Sequence, residues 1–128
     1  MKKLIITFLS AAVLMFAANS VSAAAHGGNK ATPHSVIHVV TVSWKEDASE
    51  KQIQAALDGV VTLAAEYDGI SRVWIKTLKA QGDKSHAFVM EFKNAKALKD
   101  YAGSDAQKKW YKVYLPARGG STTFDITN

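Results

Sequence analysis

The segment Val36–Trp44 is rich in β-branched residues and apolar at both alternating sets of positions, which limits the folds that the chain can adopt. In a strand, Val40 and Val42 would lie on one face, and Ile37 and Val39 would lie on the other. A strand of this kind is stable only where both of its faces are covered. Helices can cover one face, so the second cover must come from elsewhere.

A helix over about residues 49–67 is predicted after this strand. Ser49 can cap its first turn, and Gln52 can reach back to the capping residue, which is the spacing of a capping box. Apolar residues then recur at helical intervals: Ile53, Leu57, Val60, Ala64 and Tyr67. Gly69 stands where a left-handed residue can end the helix.

The remaining segments continue the alternation of strands and helices. Strands are predicted over 70–78 and 85–93, a short helix over 94–101, a second helical stretch from 104 to about 114, and a last strand over 122–127. Asn94 and Ser104 are capping residues, and Pro116 with Gly119–Gly120 predicts the end of the second stretch. The order β-α-β-β-α-β predicts a ferredoxin-like α+β fold, with an antiparallel sheet, its first and third strands central, and helices on one face.

The uncovered sheet face predicts self-association. Large apolar side chains such as Trp44 or Phe88 on that face would be costly in water, and two sheets packed face to face in a dimeric α/β barrel would remove this cost. The chain has no cysteine, so disulfides cannot stabilise so small a domain. A homodimer is therefore the expected assembly.

The first 23 residues have the pattern of a cleaved secretory signal. Lys2 and Lys3 precede an apolar run from Leu4 to Ala18 that is short for a membrane span, and Val21-Ser22-Ala23 has the small residues of a cleavage site. Cleavage there leaves 105 residues and lowers the formal net charge from +5 to +3. The expectation is a protein exported to the periplasm or secreted, without a stable membrane anchor.

Behind the signal, the small and polar residues 24–35 predict a flexible arm, and residues 36–128 predict one folded domain. If the mature chain begins at Ala24, its free amine, the amides that follow and the imidazole of His26 could bind Cu(II) or Ni(II) in a square plane. Ala24, Ala25 and His26 are then the metal ligands. The alternative is that this order of residues occurs by chance. Cleavage one residue later would also remove the motif.

Four segments, in their order and spacing, resemble the stress-responsive A/B barrel domain family, also called Dabb. They are His38-Val39-Val40 in the first strand, residues 86–92 in the third strand, residues 94–101 in the short helix and Phe124-Asp125-Ile126 in the last strand. The resemblance covers about residues 36–127. It implies a dimeric α+β barrel with a cavity in each subunit and a stress-associated task that is not defined.

A plant polyketide cyclase of this family works without a cofactor and uses a tyrosine and a histidine of the short-helix region. Tyr101 matches that tyrosine, whereas Gln107 stands in place of that histidine. A glutamine cannot accept and release a proton near neutral pH, so Gln107 can orient a ligand but cannot serve as a base. His38 and His86 match two further histidines of the cyclase.

The resulting expectation is a homodimer that binds a small apolar or aromatic molecule and needs no cofactor. Six residues are its predicted ligand contacts: Tyr101, His38, His86, Gln107, Trp44 and Phe88. One alternative is a cofactor-independent, cyclase-like enzyme with Tyr101, His86 and His38 as catalytic candidates. The other is a structural or interaction module whose barrel is filled by its own side chains.

The same residues also have purely structural explanations. Tyr101 can pack its ring under the helix, and His38 and His86 can be satisfied core residues on apolar strand faces. The two histidines stand early in antiparallel strands, near opposite sheet ends, and no carboxylate has ligand spacing beside them, so no metal site is predicted there. The lysines of the second helical region fit a solvated face, and no pattern indicates binding of nucleic acid.

Overall fold

The computed structural model describes residues 33–128. The predicted signal peptide over 1–23, and the predicted arm up to residue 32, lie outside the described residues. Seven elements follow one another: β1 (Val36–Trp44), α1 (Glu50–Glu66), β2 (Ile70–Trp74), β3 (His86–Phe92), α2 (Ala95–Tyr101), α3 (Asp105–Ala117) and β4 (Arg118–Ile126). Just before β1, the Ser35 carbonyl accepts a hydrogen bond from the Thr127 hydroxyl at 3.0 Å, which ties this segment to the residues after β4.

The four strands form one antiparallel sheet in the order β2-β3-β1-β4. The prediction that the first and third strands are central is confirmed, and the helices lie on one face of the sheet, as in a ferredoxin-like α+β fold. β1 therefore forms backbone ladders on both of its edges. Within residues 33–128, none of the helices is long and apolar enough to cross a membrane.

α1 begins where its capping sequence predicts. The Ser49 hydroxyl accepts a hydrogen bond from the Gln52 N–H, and the Gln52 side chain accepts one from the Ser49 N–H at 2.9 Å. The prediction for the end of α1 is wrong in one respect, because Gly69 is not among the residues with positive φ. Space explains this glycine instead, since a Cβ at Gly69 would stand 2.3 Å from the Tyr67 ring.

β2 is shorter than predicted, because it ends at Trp74 rather than at residue 78. Beyond its end, the Thr77 hydroxyl donates to the Ala87 carbonyl at 3.0 Å and accepts from the Ala87 N–H at 2.8 Å. The Thr77 side chain thus forms the two hydrogen bonds to Ala87 that the backbone of a longer β2 would form. This replacement ends the β2–β3 ladder early.

α3 and β4 are both longer than predicted. α3 continues through Pro116 to Ala117, and β4 begins at the next residue, Arg118, rather than after the two glycines. Gly119 does not break the strand; a Cβ there would stand 2.8 Å from the Trp44 carbonyl oxygen, so glycine permits this close approach of β4 to β1. The helix therefore passes into the strand without a loop.

The core lies between the helices and one face of the sheet. Its largest fully buried side chains come from β1, α1 and β3: Phe88, Phe92, Leu63, Met90, Val42 and Val60. Trp44 and Phe88 lie on this covered face, so the expectation that such side chains stand on the bare face is wrong. The reason is strand parity, because Phe88 pairs with the buried Val40 and Trp44 follows Val40 at even spacing.

The bare face of the sheet carries an apolar row of its own. Trp74 pairs with Val89, and Val89 pairs with Val39. Val39 in turn pairs with Phe124, so that the row crosses all four strands. Trp74 is 48% exposed and Phe124 is 58% exposed in the single chain. We call these four residues the Trp74 row; a continuous apolar surface of this kind marks a site of association.

Candidate functional site

A cavity of about 110 Å³ lies between the helix-covered face of the sheet and α3. β1 and β4 form its sheet side, and the end of α2 and one side of α3 form the rest. Its lining is mostly polar: His38, Tyr101, Gln107, Tyr111, Tyr114, Arg118, Ser121 and Thr123, with Val40 and Trp110. A core built only for stability would fill such a space with apolar groups, since buried polar groups are costly unless paired.

Tyr101 ends α2 and is 3% exposed. Its ring packs against Phe92 and Tyr67, with ring centroids 5.1 and 5.8 Å apart. Burial raises the pKa of the Tyr101 hydroxyl, and the Gln107 side chain partly opposes this shift. The ring is therefore part of the core, and the same residue lines the cavity as a neutral phenol.

His38 lies on β1 at the position that pairs with Asp125 of β4. The His38 Nδ1 and the Asp125 Oδ1 are 2.6 Å apart. No carboxylate has ligand spacing beside His38 in the sequence, but strand pairing brings Asp125 to it from 87 positions away in the chain. With Nδ1 held by a carboxylate, Nε2 is the ring nitrogen left for a ligand or a proton.

Gln107 lies in the first turn of α3 and braces the turn between α2 and α3. Its Oε1 accepts a hydrogen bond from the Gly103 N–H at 2.7 Å, and its Nε2 donates to the Tyr111 hydroxyl at 3.2 Å. Gly103 has a φ of +82°, which glycine adopts without strain. Both ends of the Gln107 amide are thus engaged within the protein while the residue lines the cavity.

The opposite end of the cavity is formed where α3 passes into β4. Tyr114 is 3% exposed, and its hydroxyl is buried without a hydrogen-bond partner among residues 33–128. The guanidinium carbon of Arg118 lies 5.7 Å from the centre of the Tyr114 ring. Burial raises the pKa of the Tyr114 hydroxyl, and the nearby Ser121 and Arg118 partly oppose this shift. We call Tyr114, Arg118 and Ser121 the arginine end.

Three residues of the predicted ligand set do not line this cavity: His86, Trp44 and Phe88. The Trp44 Nε1–H donates to the His86 Nδ1 at 2.9 Å, so these two side chains satisfy each other. Phe88 is 1% exposed and packs edge to face against Trp110. Their contacts make these residues parts of the core and of its edge.

Strand register keeps the two histidines apart. His38 pairs with Met90 of β3, whereas His86 of the same strand pairs with Val42. The four-residue difference in register corresponds to roughly 13 Å along the strands. The prediction that the two histidines stand toward opposite ends of the sheet is confirmed.

No group of three or more His, Cys, Asp or Glu side chains that could hold a metal ion occurs among residues 33–128. The predicted copper motif of Ala24, Ala25 and His26 lies outside the described residues. The His38–Asp125 pair supplies only two side chains as metal ligands, and their hydrogen bond already engages one atom of each.

A larger groove of about 270 Å³ lies between α1 and α3, away from the sheet. Gly59, Leu63 and Val113 contribute apolar lining, and Lys109 is paired with Glu66 there. None of the predicted site residues lines this groove. The smaller inner cavity, which collects the imidazole, the phenols and the guanidinium, is therefore the candidate functional site.

Sequence reasoning found three lining residues, His38, Tyr101 and Gln107, and missed the arginine end. A further signal was present, because four residues recur at the spacing of one face of α3: Gln107, Trp110, Tyr111 and Tyr114. No comparable signal marks Arg118. Its place at the cavity depends on the direct passage of α3 into β4.

Residues 36–128 match the model of a family described as the stress responsive A/B barrel domain. No curated protein is significantly similar to the chain. One solved structure with a similar fold is a dimeric protein of unknown function and ferredoxin-like fold from Bacteroides fragilis. It is 16% identical, with a TM-score of 0.62, and the match covers 77% of this chain and 100% of that one.

Two enzymes also share the fold. A hydroxynitrile lyase from Passiflora edulis is 18% identical, with a TM-score of 0.67, over 75% of this chain and 94% of the lyase. A cofactor-independent oxygenase from Streptomyces nogalater is 11% identical, with a TM-score of 0.56, over 77% of this chain and 94% of the oxygenase. At these identities the similarity shows the fold alone.

Proposed function

The chain belongs to the stress responsive A/B barrel domain family, and we propose that it binds a small molecule in the cavity between the sheet and α3. The ligand lies between the His38–Asp125 pair and the arginine end. The sequence predicts a small apolar or aromatic ligand, and the mostly polar lining favours a polar or aromatic ligand over a purely apolar one.

The observation that carries this proposal is the Tyr114 hydroxyl. It is buried and makes no hydrogen bond of ordinary geometry among residues 33–128, although Ser121 and Arg118 lie close enough to lower its pKa. A buried hydroxyl left unpaired costs about 1–3 kcal/mol. Phenylalanine would pack equally well without this cost, so a ligand that completes the hydrogen bond explains why a hydroxyl stands there.

The volume of the cavity limits the size of the ligand. The cavity measures about 110 Å³, which is less than the roughly 150 Å³ of an engineered cavity that takes up benzene. A ligand, or the part of it that enters, therefore has no more than about six non-hydrogen atoms, the number in benzene. A structural module with a filled interior fits less well, because unfilled space and an unpaired hydroxyl meet at one place.

Cofactor-independent catalysis is a second candidate function, and the His38–Asp125 pair favours it. Gln107 cannot act as a base, but an imidazole oriented by a carboxylate can accept a proton through Nε2. Tyr101, a neutral phenol in a buried site, can stabilise negative charge that develops on a substrate oxygen. The lyase and the oxygenase support this function only as examples of enzymes with this fold.

We further propose that the chain forms a homodimer through the bare face of its sheet. The Trp74 row lies on that face, and the helices of the same chain cannot cover it because they occupy the other face. A second copy provides the cover that the apolar strand β1 requires. The dimeric neighbour from Bacteroides fragilis supports this assembly.

Tyr114→Phe should separate ligand binding from stability. Loss of the unpaired hydroxyl should leave the free energy of unfolding unchanged or raise it by up to about 1–3 kcal/mol, and should weaken ligand binding by about fivefold or more. Urea unfolding measures the first effect. Saturation-transfer NMR with a library of small polar fragments measures the second.

Tyr67→Phe is the matched control for this variant, because the Tyr67 hydroxyl donates to the Ala97 carbonyl at 2.7 Å and Tyr67 does not line the cavity. The control should lose about 1 kcal/mol of stability and keep its affinity for the fragments. If Tyr114→Phe binds the fragments as tightly as the wild type does, the Tyr114 hydroxyl does not contribute to binding and the proposal loses its main support.

Catalysis predicts that a bound fragment is changed chemically. Fragments that bind are incubated with the protein in deuterated water and then analysed by NMR and mass spectrometry. Deuterium uptake or a new product, lost in His38→Asn while binding persists, would support catalysis. Fragments recovered unchanged would exclude the enzyme alternative for them and leave binding as the function.

Phe124→Lys should convert the dimer into a monomer. Phe124 is 58% exposed in the single chain, so the change should leave the fold intact and place a charge between the paired sheets. Val61→Lys is the matched control, because Val61 is 48% exposed but lies on α1, on the other side of the sheet. Light scattering at micromolar concentration should show dimers for the wild type and the control. A monomeric wild type would refute the face-to-face arrangement.

Export is also proposed, on the strength of the sequence pattern of residues 1–23. The mass of the protein recovered from its producing cells should correspond to a chain that begins at Ala24. A recovered chain that retains residues 1–23 would overturn export. A start at another nearby residue would instead remove only the Cu(II) motif of Ala24, Ala25 and His26.

A further inference from the structure

We propose that the ligand of the cavity is a small monocarboxylate, and that its carboxylate binds at the arginine end, between Arg118 and the Tyr114 hydroxyl. The inference rests on the proposed function, because it names the chemical class of ligand for the same cavity. Three features support it: a cation without a partner, hydroxyl groups beside it, and a difference in charge between the two ends of the cavity.

Arg118 has no acidic partner among the described residues. None of the ion pairs within residues 33–128 involves it. Its guanidinium lies over the face of the Tyr114 ring, at 5.7 Å from the ring centre. A guanidinium has five N–H donors, and its contact with the ring face and the nearby Tyr114 hydroxyl leaves most of them available. These donors match the two oxygens of a carboxylate in a charge-assisted, bidentate arrangement.

The hydroxyl groups at this end add neutral donors. The Tyr114 hydroxyl is unpaired among residues 33–128, and Ser121 lines the cavity from β4, opposite Val42 in register. A carboxylate has about four lone-pair sites, so it can accept hydrogen bonds from the guanidinium and from both hydroxyls. Its binding would satisfy the one phenol of the cavity that the protein leaves buried and unpaired.

The far end of the cavity sets the orientation of the ligand. Asp125 holds His38 there and brings a carboxylate to that end. Ser121 and Asp125 lie on the same face of β4 and four residues apart, which corresponds to roughly 13 Å. A ligand carboxylate is therefore attracted by Arg118 and repelled by Asp125. The rest of the ligand then extends toward the His38 Nε2 and Tyr101.

The charge and the volume of the site both favour a monocarboxylate over larger anions. One guanidinium balances one negative charge. A cavity of about 110 Å³ has little room for a phosphoryl group that carries a carbon chain as well. A neutral amide of equal size would fit the same space but would lack the ion pair and the second acceptor oxygen that a carboxylate offers to the guanidinium.

Butanoate and butanamide test the inference, because the two molecules share a shape and differ in charge. Their binding to the purified protein is measured by ligand-observed NMR near neutral pH. Butanoate is expected to bind about tenfold more tightly than butanamide. Arg118→Gln should weaken butanoate binding by about tenfold and should weaken butanamide binding much less, because only butanoate loses an ion pair. Lys112→Gln is the matched control, since Lys112 is an exposed cation of α3 that does not line the cavity, and it should change neither affinity.

Equal binding of the two molecules by the wild type would overturn the carboxylate assignment and leave small-molecule binding in place. Failure of both probes, while other fragments bind, would also overturn only the assignment, whereas failure of every fragment would overturn the proposed function itself. If Arg118→Gln loses butanamide as well, Arg118→Lys decides, because it keeps the charge and part of the packing. A preference for butanoate in Arg118→Lys would support the inference, and its loss would overturn it.

Discussion

The pairing of β4 with β1 is the interaction on which the rest of the structure depends. It extends from Ile37 opposite Ile126 to Trp44 opposite Arg118. This one ladder completes the sheet, extends the apolar row across the bare face and forms the sheet side of the cavity. Because it joins the first and the last element of the domain, its loop-closure entropy is overcome only when the intervening elements have packed. The cavity therefore exists only in the fully folded domain.

Two neighbouring buried side chains of α3 differ in their hydrogen bonding: one polar group is paired, and the other is not. Trp110 and Tyr114 stack with their ring centroids 4.4 Å apart. The Trp110 Nε1–H donates to the Ala56 carbonyl at 2.9 Å, whereas the Tyr114 hydroxyl is buried without a partner among residues 33–128. A helix that pairs one buried donor fully has no general difficulty in pairing another. The unpaired Tyr114 hydroxyl lies at the cavity, and departures from full hydrogen bonding are expected where a residue serves function.

Sequence patterns predict the elements of this fold well where the signal is local. Ser49, Asn94 and Ser104 each accept a hydrogen bond from a backbone N–H three residues later, and each begins a helix where predicted. The errors occur where a distant contact overrides the local signal. The Thr77 hydroxyl ends β2 by binding Ala87, a contact between strand-end segments that periodicity does not encode.

The residues of the candidate site also fall into two groups: those that a local sequence pattern predicts, and those that a distant contact brings to the site. His38 and Tyr101 could be selected from the sequence, because a histidine on an apolar strand and a tyrosine at a helix end are visible patterns. Asp125 was visible only as part of a terminal strand motif, and its pairing with His38 depends on the β1–β4 register. Arg118 was hidden by the glycines after it, which resemble a break in the chain but lie within a strand.

Gln107 stands at the position of the cyclase histidine, but the imidazole of this cavity comes from another residue. Its amide braces the turn after α2, and the imidazole that lines the cavity comes from His38, on the sheet side rather than the helix side. A proton-transfer group in this cavity therefore approaches the ligand from the sheet side. A carboxylate held by Arg118 would turn the opposite end of the ligand toward His38 Nε2, so that the reacting atom would be remote from the carboxylate. The absence of a base at residue 107 thus changes the direction from which chemistry can occur, and does not by itself exclude it.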